Sequence, residues 1–274
     1  MRLKAVLRKA SSMAASPGPK QSTFSNLTMV SRGGYRLQVI AQQLRLYHPA
    51  PGYSSSSPAD ADGDDAVLDD RGKVFSTMAL PHSSASAVLL RRPPDPKPAA
   101  VLICLFEDDS GDLRVLLTKR SSNLSSHSGE VSLPGGKAEE GDADERETAL
   151  REAKEEIGLD PSLVTVVTVL ESFLSKHLLR VSPVIGILPN KEAFRPAANT
   201  DEVDEIFDAP LEMFLKDDNR RSEVREWKGL KYLIHYFDYN SGNKKFVIWG
   251  LTAAILIRAA SIIYKRPPSF VEQL

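Results

Sequence analysis

The chain has 274 residues, enough for one large domain or two small ones and for a substantial buried core. Its 35 Lys and Arg nearly balance 36 Asp and Glu, so the bulk charge points to neither a nucleic-acid nor a membrane partner. A single cysteine, Cys104, excludes an internal disulfide and fits a reducing compartment.

The balance hides an asymmetry. Residues 1–59 hold no Asp or Glu but carry Arg2, Lys4, Arg8, Lys9, Lys20, Arg32, Arg36 and Arg45 among many serines. An Arg-rich, Ser-rich, acid-poor start is the composition of an organelle transit peptide, and no apolar run of secretory type follows Arg2. The expected destination is the mitochondrion; a plastid is the alternative, or the cytosol if the extension is an unstructured basic tail. Residues 49–72, with Ser54 to Ser57 and the acidic run Asp60 to Asp70, read as a disordered linker. Residues 1–72 are therefore expected as leader and linker, and 73–274 as the folded domain.

The first strand is expected at 99–106, where Cys104 reads as a buried small hydrophobe. Asp108 to Asp112 is a hairpin turn signal, and 113–118 the returning strand. A polar loop leads to Gly135-Gly136 and then to a helix over 144–157. Asp142 or Asp144 would cap its start, with Glu145 or Glu147 three residues on, and Gly158 would close it. Leu150, Ala153 and Ile157 form its apolar stripe, which turns the glutamates away from the core.

Strands follow at 164–170 and 181–188, with a shorter one from 202 to 206 and a short helix at 210–215. A late hairpin pairs 231–239 with 245–248, and Trp249 to Tyr264 forms the last helix. The apolar stretch Phe246 to Tyr264 is interrupted by Arg258 and reads as a core helix, since its uncharged part is short for a bilayer. Trp249 reads as a core residue. Strands surrounding two substantial helices give an α/β class, a mixed β-sheet sandwiched between helices.

The chemistry lies in the first of those helices. Glu152, Glu155 and Glu156 share a face one turn apart. Like charges at such spacing cost roughly 0.2–0.5 kcal/mol per pair, and no lysine or arginine on that face is expected close enough to cancel three of them. A divalent cation would. Mg²⁺ and Mn²⁺ are hard ions that take carboxylate, water and phosphate oxygens.

From Gly136 to Leu159 the sequence resembles the Nudix box of the Nudix hydrolases. Gly136 is followed by five residues and Asp142, then by eight residues and Arg151-Glu152, with Glu155-Glu156 and Gly158-Leu159 completing it. Aspartate at 142 in place of glutamate, and one added residue before Arg151, are similar to the coenzyme A diphosphatase subgroup. Leu116-Leu117-Thr118-Lys119-Arg120-Ser121, Gly129 and Leu133-Pro134-Gly135-Gly136 fit that subgroup's upstream signature, with Ser125 in an arginine position and Leu133 in a phenylalanine position. The resemblance covers roughly residues 98–255, a span typical of one domain.

It implies a Nudix fold and metal-dependent cleavage of the diphosphate bond of coenzyme A and its derivatives to 3′,5′-ADP and 4′-phosphopantetheine. It implies Mg²⁺ or Mn²⁺ on Glu152 and Glu156, with Glu155 a third ligand or the residue that orients water. Glu155, Glu152 and Arg151 are the catalytic candidates, Arg151 by holding a carboxylate in place. Lys119 and Arg120 would contact phosphate, and Gly135 and Gly136 would bring backbone close to the substrate. Glu202 is a further candidate for the base, and Asp142 is expected as a helix cap. The partner is a small molecule, with no nucleic acid and no membrane. Two alternatives stay open: a diphosphatase for ADP-ribose, NADH or an oxidised nucleotide, and a Nudix-fold regulatory module that binds without turnover.

Overall fold

The computed structural model describes residues 32–48, 67–68, 74–75, 97–124, 127–175, 179–227 and 230–272. Residues 31–274 form one compact unit. Its first element is helix α1 (Arg32–Arg45), whose inward positions Leu37, Ile40, Ala41 and Leu44 follow helical spacing and are buried in the main core. Burying Leu37, Ile40 and Leu44 stabilises the unit by roughly 1.5–3 kcal/mol each. Polar contacts fix the rest of the segment. Gln43 donates to the Ile262 carbonyl at 3.0 Å, and the Tyr47 hydroxyl donates to Glu171 at 2.7 Å. Residues 32–48 therefore belong to the fold, which corrects the expectation that the whole of 1–72 is leader and linker. Residues 1–31 lie outside the described residues, as does the expected linker apart from β1 (Val67–Leu68), which pairs antiparallel with β2 (Val74–Phe75).

The central strand is β3 (Lys97–Glu107). It turns through Asp108 to Asp112, with the Gly111 amide donating to the Asp108 carbonyl at 2.9 Å, into β4 (Leu113–Arg120). Short strands β5 (Val131–Ser132) and β6 (Gly135–Lys137) then pair with β4 and β3. After helix α2 (Glu145–Ile157) come β7 (Thr165–Val169), β8 (Phe173–Leu174), β9 (Leu179–Ile187) and β10 (Val203–Pro210). The main path is β10-β4-β3-β9-β7. Only the β3–β9 pairing on that path is parallel, so the sheet is mixed.

The two-residue period of β3 divides the interior. Ala100, Leu102, Cys104 and Phe106 meet Ala149, Ala153 and Ile157 of α2 on one face. Ala99, Ile103 and Leu105 enter a second core on the other face, shared with α1 and the C-terminal helix. Cys104 is fully buried, and burial pushes its thiol up to about 12.

A small antiparallel sheet follows: β11 (Arg220–Trp227), β12 (Leu230–Ser241) and β13 (Lys244–Trp249). The β12–β13 hairpin matches the sequence reading, whereas β11 has no counterpart in it. Trp249 is half-buried and stacks on Tyr236, so it is not the core residue expected. Helix α3 (Gly250–Tyr264) closes the fold, with Ala253, Leu256, Ile257 and Ala260 buried. Its Arg258 donates to Glu171 and, at 3.2 Å, to the Tyr47 hydroxyl. No helix among the described residues is long and apolar enough to cross a membrane. The short helix expected at 210–215 is a 3-10 turn, Leu211–Leu215.

Candidate active site

The site is built on α2. Asp144 caps its start, accepting from the amides of Arg146 and Glu147 at 2.9 and 3.0 Å. Gly158 ends it at φ 70, a left-handed conformation that suits glycine. The next loop docks on this end. The Ala197 amide donates to the Ile157 carbonyl at 3.0 Å and the Asn199 amide to the Glu156 carbonyl at 2.9 Å. Ala149, Ala153 and Ile157 are fully buried, with Leu150 packed at the margin.

Asp142 is not a cap. Its carboxylate accepts two hydrogen bonds from Arg151, at 3.0 and 3.1 Å, and further ones from the Thr148 hydroxyl and the Glu139 amide. The Arg151 guanidinium holds this carboxyl well below the usual range, and the Glu139 amide and Thr148 hydroxyl reinforce the shift. The same guanidinium donates to Glu152 at 3.2 Å, to Glu155 at 3.0 Å and to the Lys137 carbonyl at 3.0 Å. Arg151 therefore offsets two of the three glutamates.

The three glutamates occupy different environments. Glu155 is largely exposed and bonded to Arg151. Glu152 lies against Gly136, where an added Cβ would collide with the carboxylate and push it out of this position. Burial raises the Glu152 pKa; Arg151 opposes the shift, while Glu155 and Glu202 add to it. Glu156 is only 2% exposed, which corrects the expectation that all three point away from the core. Its carboxylate accepts from the Gly135 amide at 3.1 Å and lies 3.6 Å from an Arg120 nitrogen. Burial pushes its pKa up to about 7 against the pull of Gly135 and Arg120, with Glu152 and Glu202 raising it further.

Glu202 reaches this field from the docked loop. Its amide donates to the Asn199 carbonyl at 3.0 Å, and its carbonyl accepts from the Ser121 amide at 2.8 Å. Ser121 directly follows Arg120, so one short contact ties the end of β4 to the loop carrying Glu202. Among the described residues, no three His, Cys, Asp or Glu side chains are already gathered as a metal centre. The donor chemistry nonetheless fits a hard divalent cation. Glu152 and Glu156 are anionic oxygen donors held in partial burial beside each other and Glu202, where repulsion and desolvation favour an added positive charge.

Lys119 and Arg120 were both expected to contact phosphate, and the strand sends them to opposite faces. Leu116 packs with the α2 side, while Val115 and Leu117 belong to the opposite core. By the same period Arg120 faces the carboxylates and Lys119 faces away. A buried Arg120 nitrogen, Nε, has no hydrogen-bond partner. Ser125 lies outside the described residues. His127 bonds Glu130 at 2.7 Å.

The NUDIX domain family model matches residues 96–249. The chain is 69% identical over 205 residues to Nudix hydrolase 15, mitochondrial, of Arabidopsis thaliana, covering 74% of this chain and 71% of that protein. It is 56% identical over 265 residues to Nudix hydrolase 22, chloroplastic, of the same plant, covering 97% and 82%. The peroxisomal coenzyme A diphosphatase NUDT7 of Mus musculus is 36% identical over 162 residues, covering 58% and 68%. With the family model spanning more than half of the chain and the box residues gathered around the buried Glu156, the chain belongs to the Nudix family and is a Nudix pyrophosphohydrolase.

Proposed function

We propose that this hydrolase cleaves the diphosphate bond of coenzyme A and its derivatives, releasing 3′,5′-ADP and 4′-phosphopantetheine. The observation that carries the reading is the Asp142–Arg151 pair: the aspartate that sets this box apart is the residue that clamps Arg151. The coenzyme A signature supports it by delivering Arg120 to the edge of the carboxylate group, and so does the likeness to NUDT7.

Glu152 and Glu156 would hold Mg²⁺ or Mn²⁺, which supplies charge neutralisation on the diphosphate oxygens and lowers the pKa of water. The protein's own residues do the rest. Arg151 keeps Glu152 in its rotamer, a role that tunes a ligand without touching substrate. The Gly135 amide fixes Glu156. Arg120, partly exposed beside the buried Glu156 carboxylate, would take a phosphate oxygen. Glu202 is the candidate to accept the proton of the attacking water; Glu155, committed to Arg151, is placed to hold that guanidinium.

A second reading, hydrolysis of ADP-ribose, NADH or an oxidised nucleotide, rests on Ser125 standing where the signature has arginine. Binding without turnover is disfavoured because the box glutamates are all present. The relatives named mitochondrial and chloroplastic, together with the acid-free start of the chain, support an organellar location, and we place the protein in the mitochondrion. The deciding experiment assays coenzyme A, acyl-coenzyme A, ADP-ribose, NADH and an oxidised nucleoside triphosphate side by side with Mg²⁺ and with Mn²⁺, identifying the products. Preference for coenzyme A with release of 3′,5′-ADP is expected; preference for another substrate would overturn the reading.

A further inference from the structure

One row of the small sheet carries Arg221, Tyr236 and Trp249 on three neighbouring strands, with Tyr236 the register partner of both others. The two rings are stacked, centroids 5.5 Å apart and planes 8° from parallel. The Arg221 guanidinium carbon lies 4.2 Å from the centre of the Tyr236 ring. A cation thus covers one end of the stack, and Trp249 forms the other. Among the described residues no second ring stacks on Trp249, which is only half-buried, whereas the preceding residue Ile248 is fully buried.

The Trp249 end of the stack lies on the side of a definite neighbour. β13 is the last strand of its sheet and lies against β5. Thr252, three residues after Trp249, donates to the Val131 carbonyl at 3.2 Å. Val131 pairs with Lys119, next to Arg120, and its strand leads directly into Gly135. The stack therefore ends beside the segments that bring Arg120 and the Gly135 amide to Glu156.

We infer that the face of Trp249 turned away from Tyr236 takes the planar base of the substrate, adding one ring to the Arg221–Tyr236–Trp249 stack. The inference rests on the proposed cleavage of a nucleoside diphosphate and names the part of it that this sheet holds. Aromatic rings stack on any base through its π-face, and a guanidinium over the far ring holds the array in order. Strand register fixes all three side chains in advance, so little freedom is lost on binding.

The Trp227→Phe variant of the full chain leaves Trp249 as the single indole of the two in the sequence. Titrating it with adenosine 3′,5′-bisphosphate in the absence of metal is expected to quench indole fluorescence saturably, while ribose 5-phosphate, which has no base, leaves it unchanged. In turnover of coenzyme A, Trp249→Ala is expected to raise KM about tenfold with a much smaller effect on kcat, and Trp249→Phe to restore most of the loss. An unquenched indole together with an unchanged KM in the alanine variant overturns the stacking inference and leaves the hydrolase reading intact. Quenching without cleavage of coenzyme A by the wild type sustains the stacking and overturns the coenzyme A reading. If the alanine variant fails to fold, the fluorescence titration decides alone.

Discussion

Arg151 and Asp142, nine residues apart in sequence, meet through two hydrogen bonds of 3.0 and 3.1 Å, and this clamp sets where Glu152 and Glu155 lie. The guanidinium is shared by three carboxylates and a carbonyl, so losing any one contact shifts the others.

Asp142→Asn removes half of the clamp. Turnover is expected to fall on the order of 10–100-fold, the usual size of an effect acting through a ligand's supporting contacts. The stability effect has a fixed sign. The folded-state pKa of Asp142 lies below the unfolded value of about 3.9, so its stabilisation is present above roughly pH 4 and is lost as pH falls through the depressed value. Urea melts from pH 7 to pH 2 should show a constant wild-type advantage over the variant near neutrality that shrinks in acid.

Glu156→Gln separates metal from fold. The wild-type carboxylate is buried beside other acids, so the amide should leave the metal-free melting temperature unchanged or slightly higher. Mg²⁺ or Mn²⁺ should raise the melting temperature of the wild type and not of the variant, because a cation stabilises only a state that binds it. Turnover should drop by at least about 10²-fold. Gly136→Ala should also lose turnover, with the metal-free melting temperature nearly unchanged, since its Cβ displaces only the mobile end of Glu152.

Cys104 offers a clean probe of opening. Its thiol is pushed up to about 12 by burial alone. A thiol-disulfide reagent at pH 8 should therefore label it only at the rate at which the domain unfolds, and urea should release that block. The sign follows from the raised pKa: this group's stabilisation is complete below the free-thiol value of about 8.5 and is lost as pH rises towards about 12.

Leu44→Ala should destabilise the domain by about 2–5 kcal/mol, the range for a fully buried leucine. Removal of residues 1–72 should cost more, because Leu37, Ile40 and Leu44 leave the core together with the Tyr47–Glu171 bond. Urea denaturation of both proteins checks this.

Much of this architecture was legible from local patterns. The caps and stripe of α2, the β3–β4 hairpin and the β12–β13 hairpin are short-range signals that the structure keeps. What escaped depends on neighbours distant in sequence. Arg220 to Trp227 is dominated by charge and lies at an edge, where packing does not impose apolar alternation. The inward set Leu37, Ile40, Ala41 and Leu44 had helical spacing, but the acid-free composition around it resembles that of a leader. The split between Lys119 and Arg120 follows from strand period, yet choosing which of them meets the glutamates requires knowing which face of the sheet α2 covers. The burial of Glu156 was hidden for the same reason: it sits at the boundary between the helix stripe and the exposed face, and Gly135 and Arg120 close over it.

Helix α1 also bounds how far the chain could be shortened from its start. Arg36 bonds the Gly111 carbonyl, and Leu44 sits in the main core. A truncation that keeps this packing must stop ahead of Arg36. A cut past Leu44 would open a seam beside α3, where Gln43 bonds the Ile262 carbonyl, and turn apolar surface to water.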